Sequence, residues 1–371
     1  MIPPGLLPEG LRDRLPPQAE ALASLVRSLT GSFAAHGYER VQPPLVEYEE
    51  SLGSRLAGSA RRELLRFTDP VSQHTLALRS DITGQVGRIA VTRLAALPRP
   101  LRLSYAGPVL RVRGTQLSPE RESMQVGAEL IGNDSAAAAA EVIALAITAL
   151  RDAGLKGLSL DITLPTLVAD LAAAGWSLGR ASLADVQQLL DGKDSAGLAA
   201  LGAQAFQPLI AAAGPAAQAL DRLAALPLPA AAKARLGSIA AVIAGLEGVS
   251  ITLDPTERHG FEYQTWLGFS LFGDGVPGEV GRGGAYTITA PDGSSEAAIG
   301  FSLYADGLVD AGLGLAPARR VFLPLGTSPA MAAKLRAEGW STVAALDAAA
   351  SAETARCTHA LVNDTPIALP A

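Results

Sequence analysis

The stretch Leu101–Gly132, LRLSYAGPVLRVRGTQLSPERESMQVGAELIG, carries polar groups at a spacing that could gather them around a ligand. Gln125, Gly127 and Glu129 fall on one face of a strand, while Met124, Val126, Ala128 and Leu130 fall on the other. Upstream, Leu101, Leu103 and Tyr105 alternate with Arg102 and Ser104. A period of two marks a strand, and Gly114 and Pro119 suit the link between two strands. The stretch therefore reads as a hairpin that presents an amide and a carboxylate together. A bare glycine between them leaves room for a ligand against the sheet, and Arg111 and Arg113 at the end of the first strand suit an anion. A salt-bridged hairpin on a solvated face has the same residue types, so the residues alone leave both readings open. A second polar group, Arg79-Ser80-Asp81-Ile82-Thr83, leads into a helix expected from about Gln85 to Leu97. Asp81 and Thr83 there suit ligand contact or the capping of free helical amides.

Several elements must position these groups. Leu22, Leu25, Val26, Leu29 and Phe33 have helical spacing within Pro16–His36, and Gly37 is the expected stop. A short strand over Tyr38–Val41 is closed by Pro43 and Pro44, and LLRFTD and HTLALR are two further strands joined by a turn at Asp69–Pro70. After the hairpin, Asp134–Arg151 reads as an alanine-rich helix and Leu158–Thr163 as a strand. Residues from about 166 to 246 are Ala/Leu text broken by Gly and Pro, an all-helical insertion without clustered catalytic residue types. Strands return at Val249–Leu253, Gly260–Phe272, Val280–Ala290 and Ala297–Leu303. From Arg319 the pattern is strand (VFLPLG), helix (Pro329–Glu338), strand (STVAAL), strand (THALVN), a small α/β appendage over 319–371 that follows a main domain over 1–318.

Composition narrows the function. With 371 residues, 49% hydrophobic and 18% charged, the chain is globular. A net charge of −6 supplies no global field for a nucleic-acid backbone. The single Cys357 excludes an internal disulfide, and His36, His74, His259 and His359 lack metal-ligand spacing, so neither a metal nor a cofactor is expected. The N-terminal residues lack a signal-peptide core. The longest apolar run, Ala136–Leu150, is interrupted by Glu141 and too short for a bilayer. A cytoplasmic protein without membrane contact is the expectation.

In order along the chain, GYERVQPPLVEYEE is similar to motif 1 of class II histidyl-tRNA synthetases, LRSDIT to their LRPEGT, and GPVLRVR with MQVGAELIG to motif 2 and the strand after it. GFEYQT resembles their GLDYYT, GRGGAY their GGGRY, and AIGFSLYADGL their motif 3. The resemblance covers the chain to about Leu315. It implies an α+β fold, a class II synthetase-like antiparallel sheet flanked by helices, with self-association through the motif 1 region.

The departures bear on function. The synthetase uses three arginines around ATP and the adenylate, where phosphate charge redistributes. The motif 2 arginine is kept as Arg111, but Arg113 stands where an acid follows it. His259 replaces the arginine before GLDYYT, with Arg258 one residue out of register, and Gly307 falls where motif 3 ends in arginine. The appendage is about half the length of the family's anticodon-binding domain. What matches is the amino-acid side: Asp81 and Thr83 at the α-amino group, Gln125 and Glu129 as further histidine contacts, and Tyr286 near the imidazole. The second tyrosine of GLDYYT is Gln264 here.

A synthetase-like body of this kind resembles the regulatory subunits of ATP phosphoribosyltransferase. The resemblance implies a subunit without chemistry of its own, partnered with the short-form catalytic subunit, with histidine as effector and no tRNA. A degenerate ligase that still activates an amino acid with ATP is the alternative, and Arg111 is its support.

Overall fold

The structure, a computed structural model, describes residues 3, 5–53, 64–114, 119–258, 264–315 and 319–370. The chain divides into two compact units, Met1–Gly314 and Leu315–Ala371. The larger is built on a nine-stranded sheet. Its strands are β1 (Glu39–Arg40), β5 (Leu101–Leu110), β6 (Glu122–Ile131), β7 (Ser159–Thr163), β8 (Gly214–Pro215), β9 (Ser250–Asp254), β10 (Gln264–Phe272), β11 (Gly281–Thr289) and β12 (Ser295–Tyr304), in the order β1-β5-β6-β12-β11-β10-β7-β9-β8. Neighbours from β5 to β7 are all antiparallel, and parallel pairs occur only nearer the edges, at β1/β5 and β7/β9. A smaller sheet pairs β2 (Val46–Tyr48), β4 (Thr75–Leu78) and β3 (Arg66–Thr68) in that order.

The alternation of residues along the strands separates the faces of the large sheet. Val126, Ala128 and Leu130 meet the main core, where Leu25, Leu29 and Phe33 of the helix Gln18–Ala35 and Val142 and Ile143 of the helix Ala136–Asp152 are fully or nearly fully buried. Phe33 meets Phe301 of β12 edge-on at 5.4 Å. The first helix ends where expected, since Gly37 takes φ +82° and its N–H and that of Tyr38 satisfy the carbonyls of Ala34 and Phe33. Ser135 caps the second by accepting from the Ala138 N–H. The opposite face carries Leu101, Leu103, Tyr105, Tyr286 and Ile288 and is covered by the helix Thr83–Thr92 through Val86 and Ala90. Both faces are thus covered, which removes the solvated-face reading of the hairpin.

Several expected boundaries shift. The helix after Asp81 begins at Thr83 and stops at Thr92, short of Leu97. Arg99 draws the chain into a turn there, its guanidinium donating to the carbonyls of Ala90, Leu94 and Leu97. The insertion is not wholly helical: Gly214–Pro215 pairs with β9 and extends the sheet edge. The first four residues expected in the strand Gly260–Phe272 lie outside the described residues, as does His259. The second unit is a four-stranded sheet ordered β14-β13-β15-β16 (Ser341–Ala344, Arg320–Leu323, His359–Val362, Thr365–Ala368) with a helix at Pro329–Ala337. Its last strand, which pairs antiparallel with β15, is absent from the sequence expectation.

Candidate ligand-binding site

Strand register assembles the site. Residues opposite one another in a sheet point to the same face, and Glu129 of β6 stands opposite Gly300, which stands opposite Gly284, which stands opposite Gly268 and then Thr163. Three aligned glycines make a trough across the sheet with Glu129 at one end. One wall is the row Tyr105, Gly127, Ser302, Arg282, and the other holds Tyr286 opposite Gln264. The cleft is open to solvent, spans about 260 Å³ of non-atom space including that solvent, and is lined by Thr83, Glu129, Gln264, Arg282, Tyr286 and Ser302 over the glycine floor.

The glycines are required by what lies on them. A Cβ at Gly300 would stand 1.6 Å from the Glu129 Oε2, and one at Gly284 would stand 2.7 Å from the Gln264 Nε2. Gly127 corrects an expectation. A Cβ there would meet the Tyr105 phenol oxygen at 2.4 Å, so the space above it holds the Tyr105 ring instead of a ligand.

Glu129 is 1% exposed. The Tyr286 hydroxyl donates to its Oε2 at 2.8 Å and the Tyr105 hydroxyl to its Oε1 at 3.1 Å. Burial dominates, and the nearby Asp81 carboxylate adds to it; together they push the Glu129 carboxyl up to about 8 against the opposing hydrogen bonds from Tyr286, Thr83 and Tyr105. Burial likewise raises the Tyr105 phenol well above its ordinary value. A buried carboxyl so placed gains most from a ligand cation.

Behind the cleft, Gln125 binds the chain together. Its Oε1 accepts from the Ile82 N–H at 2.9 Å, and its Nε2 donates to the Asp81 Oδ2 at 3.0 Å and the Ser302 Oγ at 2.6 Å. Asp81 turns its other oxygen to the Thr83 N–H at 2.7 Å, so it closes the approach to the helix while Ile82 holds the N-cap position without a side-chain bond. The Thr83 hydroxyl lies 3.2 Å from that of Tyr105. Of the five expected histidine contacts, Thr83, Glu129 and Tyr286 line the cleft, Gln125 is buried behind it, and Asp81 lines a neighbouring cavity with Ser51, Leu52 and Gln85. One hydrogen-bond network connects all five.

Arg111 is not among the residues of this cleft. It follows β5, its N–H donating to the Arg121 carbonyl at 2.8 Å, and its charge is felt at the Tyr304 phenol. Arg258 turns away to the insertion, donating to the Gln187 Oε1 at 2.9 Å and pairing with Asp191 at 3.3 Å. The residue missed from sequence is Arg282. Its period-two spacing from Gly284 and Tyr286 was the available signal. Among the described residues no group of three His, Cys, Asp or Glu is placed to hold a metal, and no helix is long and apolar enough to cross a membrane.

The family model for histidyl-tRNA synthetase matches residues 10–308. A solved histidyl-tRNA synthetase from Nostoc sp. PCC 7120, 17% identical, superposes with a TM-score of 0.78 over 96% of this chain and 91% of that one. The fold and the matched domain are those of the histidyl-tRNA synthetase class.

Within that class the similarity is narrower. The ATP phosphoribosyltransferase regulatory subunit of Paramagnetospirillum magneticum (strain ATCC 700264 / AMB-1) is 49% identical over 97% of this chain and 96% of its own length. A structure described as an ATP phosphoribosyltransferase regulatory subunit/histidyl-tRNA synthetase from Bacillus halodurans C matches with a TM-score of 0.81 at 27% identity, covering 96% of this chain and 97% of that one. The chain belongs to the family of ATP phosphoribosyltransferase regulatory subunits.

Proposed function

We propose that this subunit activates a short-form ATP phosphoribosyltransferase catalytic subunit and carries histidine feedback on it, with histidine bound in the glycine-floored cleft. The observation that carries the reading is Glu129, a buried carboxyl held between two phenols where a cationic ligand group can reach it. Thr83 and Tyr286 line the same cleft, and Asp81 and Gln125 brace it. Coupling is reciprocal, so histidine must bind the inhibited assembly more tightly than the active one. Self-association through the motif 1 region is supported by Leu45 and Tyr48, exposed within it, and by exposed Phe67 in the same row of the three-stranded sheet as Tyr48. Arg111 is an anion contact at the end of the hairpin, and tRNA is not a partner.

Reconstitution with the catalytic subunit tests this. The wild type is expected to stimulate phosphoribosyl transfer and to confer inhibition by histidine. Removing one partner of a buried charged contact costs about 1.5–3 kcal/mol, roughly ten- to a hundredfold in affinity. Glu129→Ala and Asp81→Ala are therefore expected to assemble and activate while losing histidine sensitivity by that factor. Variants that assemble, activate and keep wild-type sensitivity would remove the cleft as the sensor.

A further inference from the structure

An α-amino acid is a zwitterion, and Glu129 answers only its positive part. The synthetase arginine positions offer no answer to the carboxylate among the described residues: position 307 is glycine, Arg258 is engaged with Gln187 and Asp191, and Arg111 lies outside the cleft. Arg282 is the described guanidinium that lines it. We infer that Arg282 anchors the carboxylate of the ligand, so that the cleft holds a zwitterion between one buried carboxyl and one guanidinium. The inference rests on the reading of the cleft as an amino-acid site.

Register puts Arg282 two strands from Glu129, through Gly300 and Gly284, and one row along. With strands about 4.8 Å apart and about 6.7 Å between successive same-face residues, their Cα atoms stand roughly 12 Å apart, and both side chains reach into the same space. The guanidinium is held before any ligand arrives. Glu279 forms an ion pair with it, the Ser270 hydroxyl donates to Glu279, and the Tyr304 ring lies 5.8 Å from it. Burial by itself would lower its pKa, but Tyr304 and Glu279 more than offset this and keep it charged. A guanidinium presents its donors in a planar fork that matches a carboxylate in geometry. At 27% side-chain exposure it is shielded enough to bind strongly and open enough to be reached.

Titration calorimetry with histidine and with histidinol, which carries a hydroxymethyl group in place of the carboxylate, tests this on the full chain. Wild type is expected to prefer histidine by about ten- to a hundredfold, the range for a charge-assisted bond. Arg282→Met is expected to lose that preference, with histidine weakened and histidinol changed by less than about threefold. The ratio within each variant cancels any general loosening of the cleft. Arg282→Lys keeps the charge beside Glu279 without the fork, and is expected to retain part of the preference. If Arg282→Met fails to fold, an unchanged ratio in Arg282→Lys overturns the inference. So does an Arg282→Met that weakens both ligands equally, or one that binds histidine as wild type does. Wild-type protein that binds neither ligand overturns the amino-acid reading itself, and this inference with it.

Discussion

The glycine-floored cleft and the end of the hairpin are built differently. Around Glu129 nearly every polar atom has a protein partner, the floor is glycine, and the cleft opens to solvent. At the hairpin end, where the synthetase resemblance puts the phosphates, Arg111 remains, but Arg12 and Arg14 are paired within the chain. Arg14 donates to Asp306 at 2.7 Å and Asp310 at 3.0 Å, Arg12 pairs with Asp310 at 2.5 Å, and Asp306 also accepts the Met124 N–H. Arg121 donates to the carbonyls of Glu9 and Gly10, tying the N-terminal segment to the end of the hairpin. The cleft places a buried carboxyl and a guanidinium around one space, while at the hairpin end arginines and aspartates clasp one another.

The largest effect that could break this contrast is catalytic. With Gly307 in place of the motif 3 arginine and Arg258 paired with Asp191, two of the three synthetase cations are missing, and transition-state stabilisation by several orders of magnitude is expected to go with them. Histidine-dependent pyrophosphate exchange by the isolated chain is expected at background, and Gly307→Arg is expected to leave it there because Asp306 and Asp310 flank the new guanidinium. Exchange well above background would revive the ligase alternative.

Next comes pH. The folded pKa of Glu129, about 8, lies above its ordinary 4.5, so the folded chain holds this proton longer than the unfolded one. The resulting stability is full below pH 4.5 and is lost as pH rises through 8, on the order of a few kcal/mol in all. Tm by circular dichroism should fall across that window in wild type and fall less in Glu129→Gln. Equal slopes would place Glu129 in a more polar setting than its burial implies.

Glycine substitutions compare the two ends directly. Gly300→Ala forces its Cβ onto Glu129 and is expected to destabilise by about 1–3 kcal/mol. Gly307→Ala has Val276 as its nearest neighbour at 3.6 Å and is expected to stay within about 0.5 kcal/mol of wild type. Similar losses in chemical denaturation would mean that both ends are equally packed. The smallest effect is expected at the clasp surface. Arg12 and Asp310 are both over 40% exposed, so Arg12→Ala should cost about 0–1 kcal/mol, and less at high salt.

Much of this was legible in the sequence by itself, because covalent order and local periodicity carry it. The alternation through Leu101–Leu110 and Glu122–Ile131 determined the hairpin, and Gly37 determined where the first helix stops. The residue types at Arg111, Gly307, Asp81 and Glu129 determined which half of a synthetase site could remain. Only the tertiary structure decided that Tyr105 fills the space over Gly127, that Gly268, Gly284 and Gly300 line up as a floor, and that Arg282 faces Glu129 across it. Only packing decided that burial, with Asp81 nearby, pushes the Glu129 carboxyl up to about 8. Register joins strands more than a hundred residues apart, and desolvation depends on everything packed around a group, so neither is a property that a local pattern of residues contains.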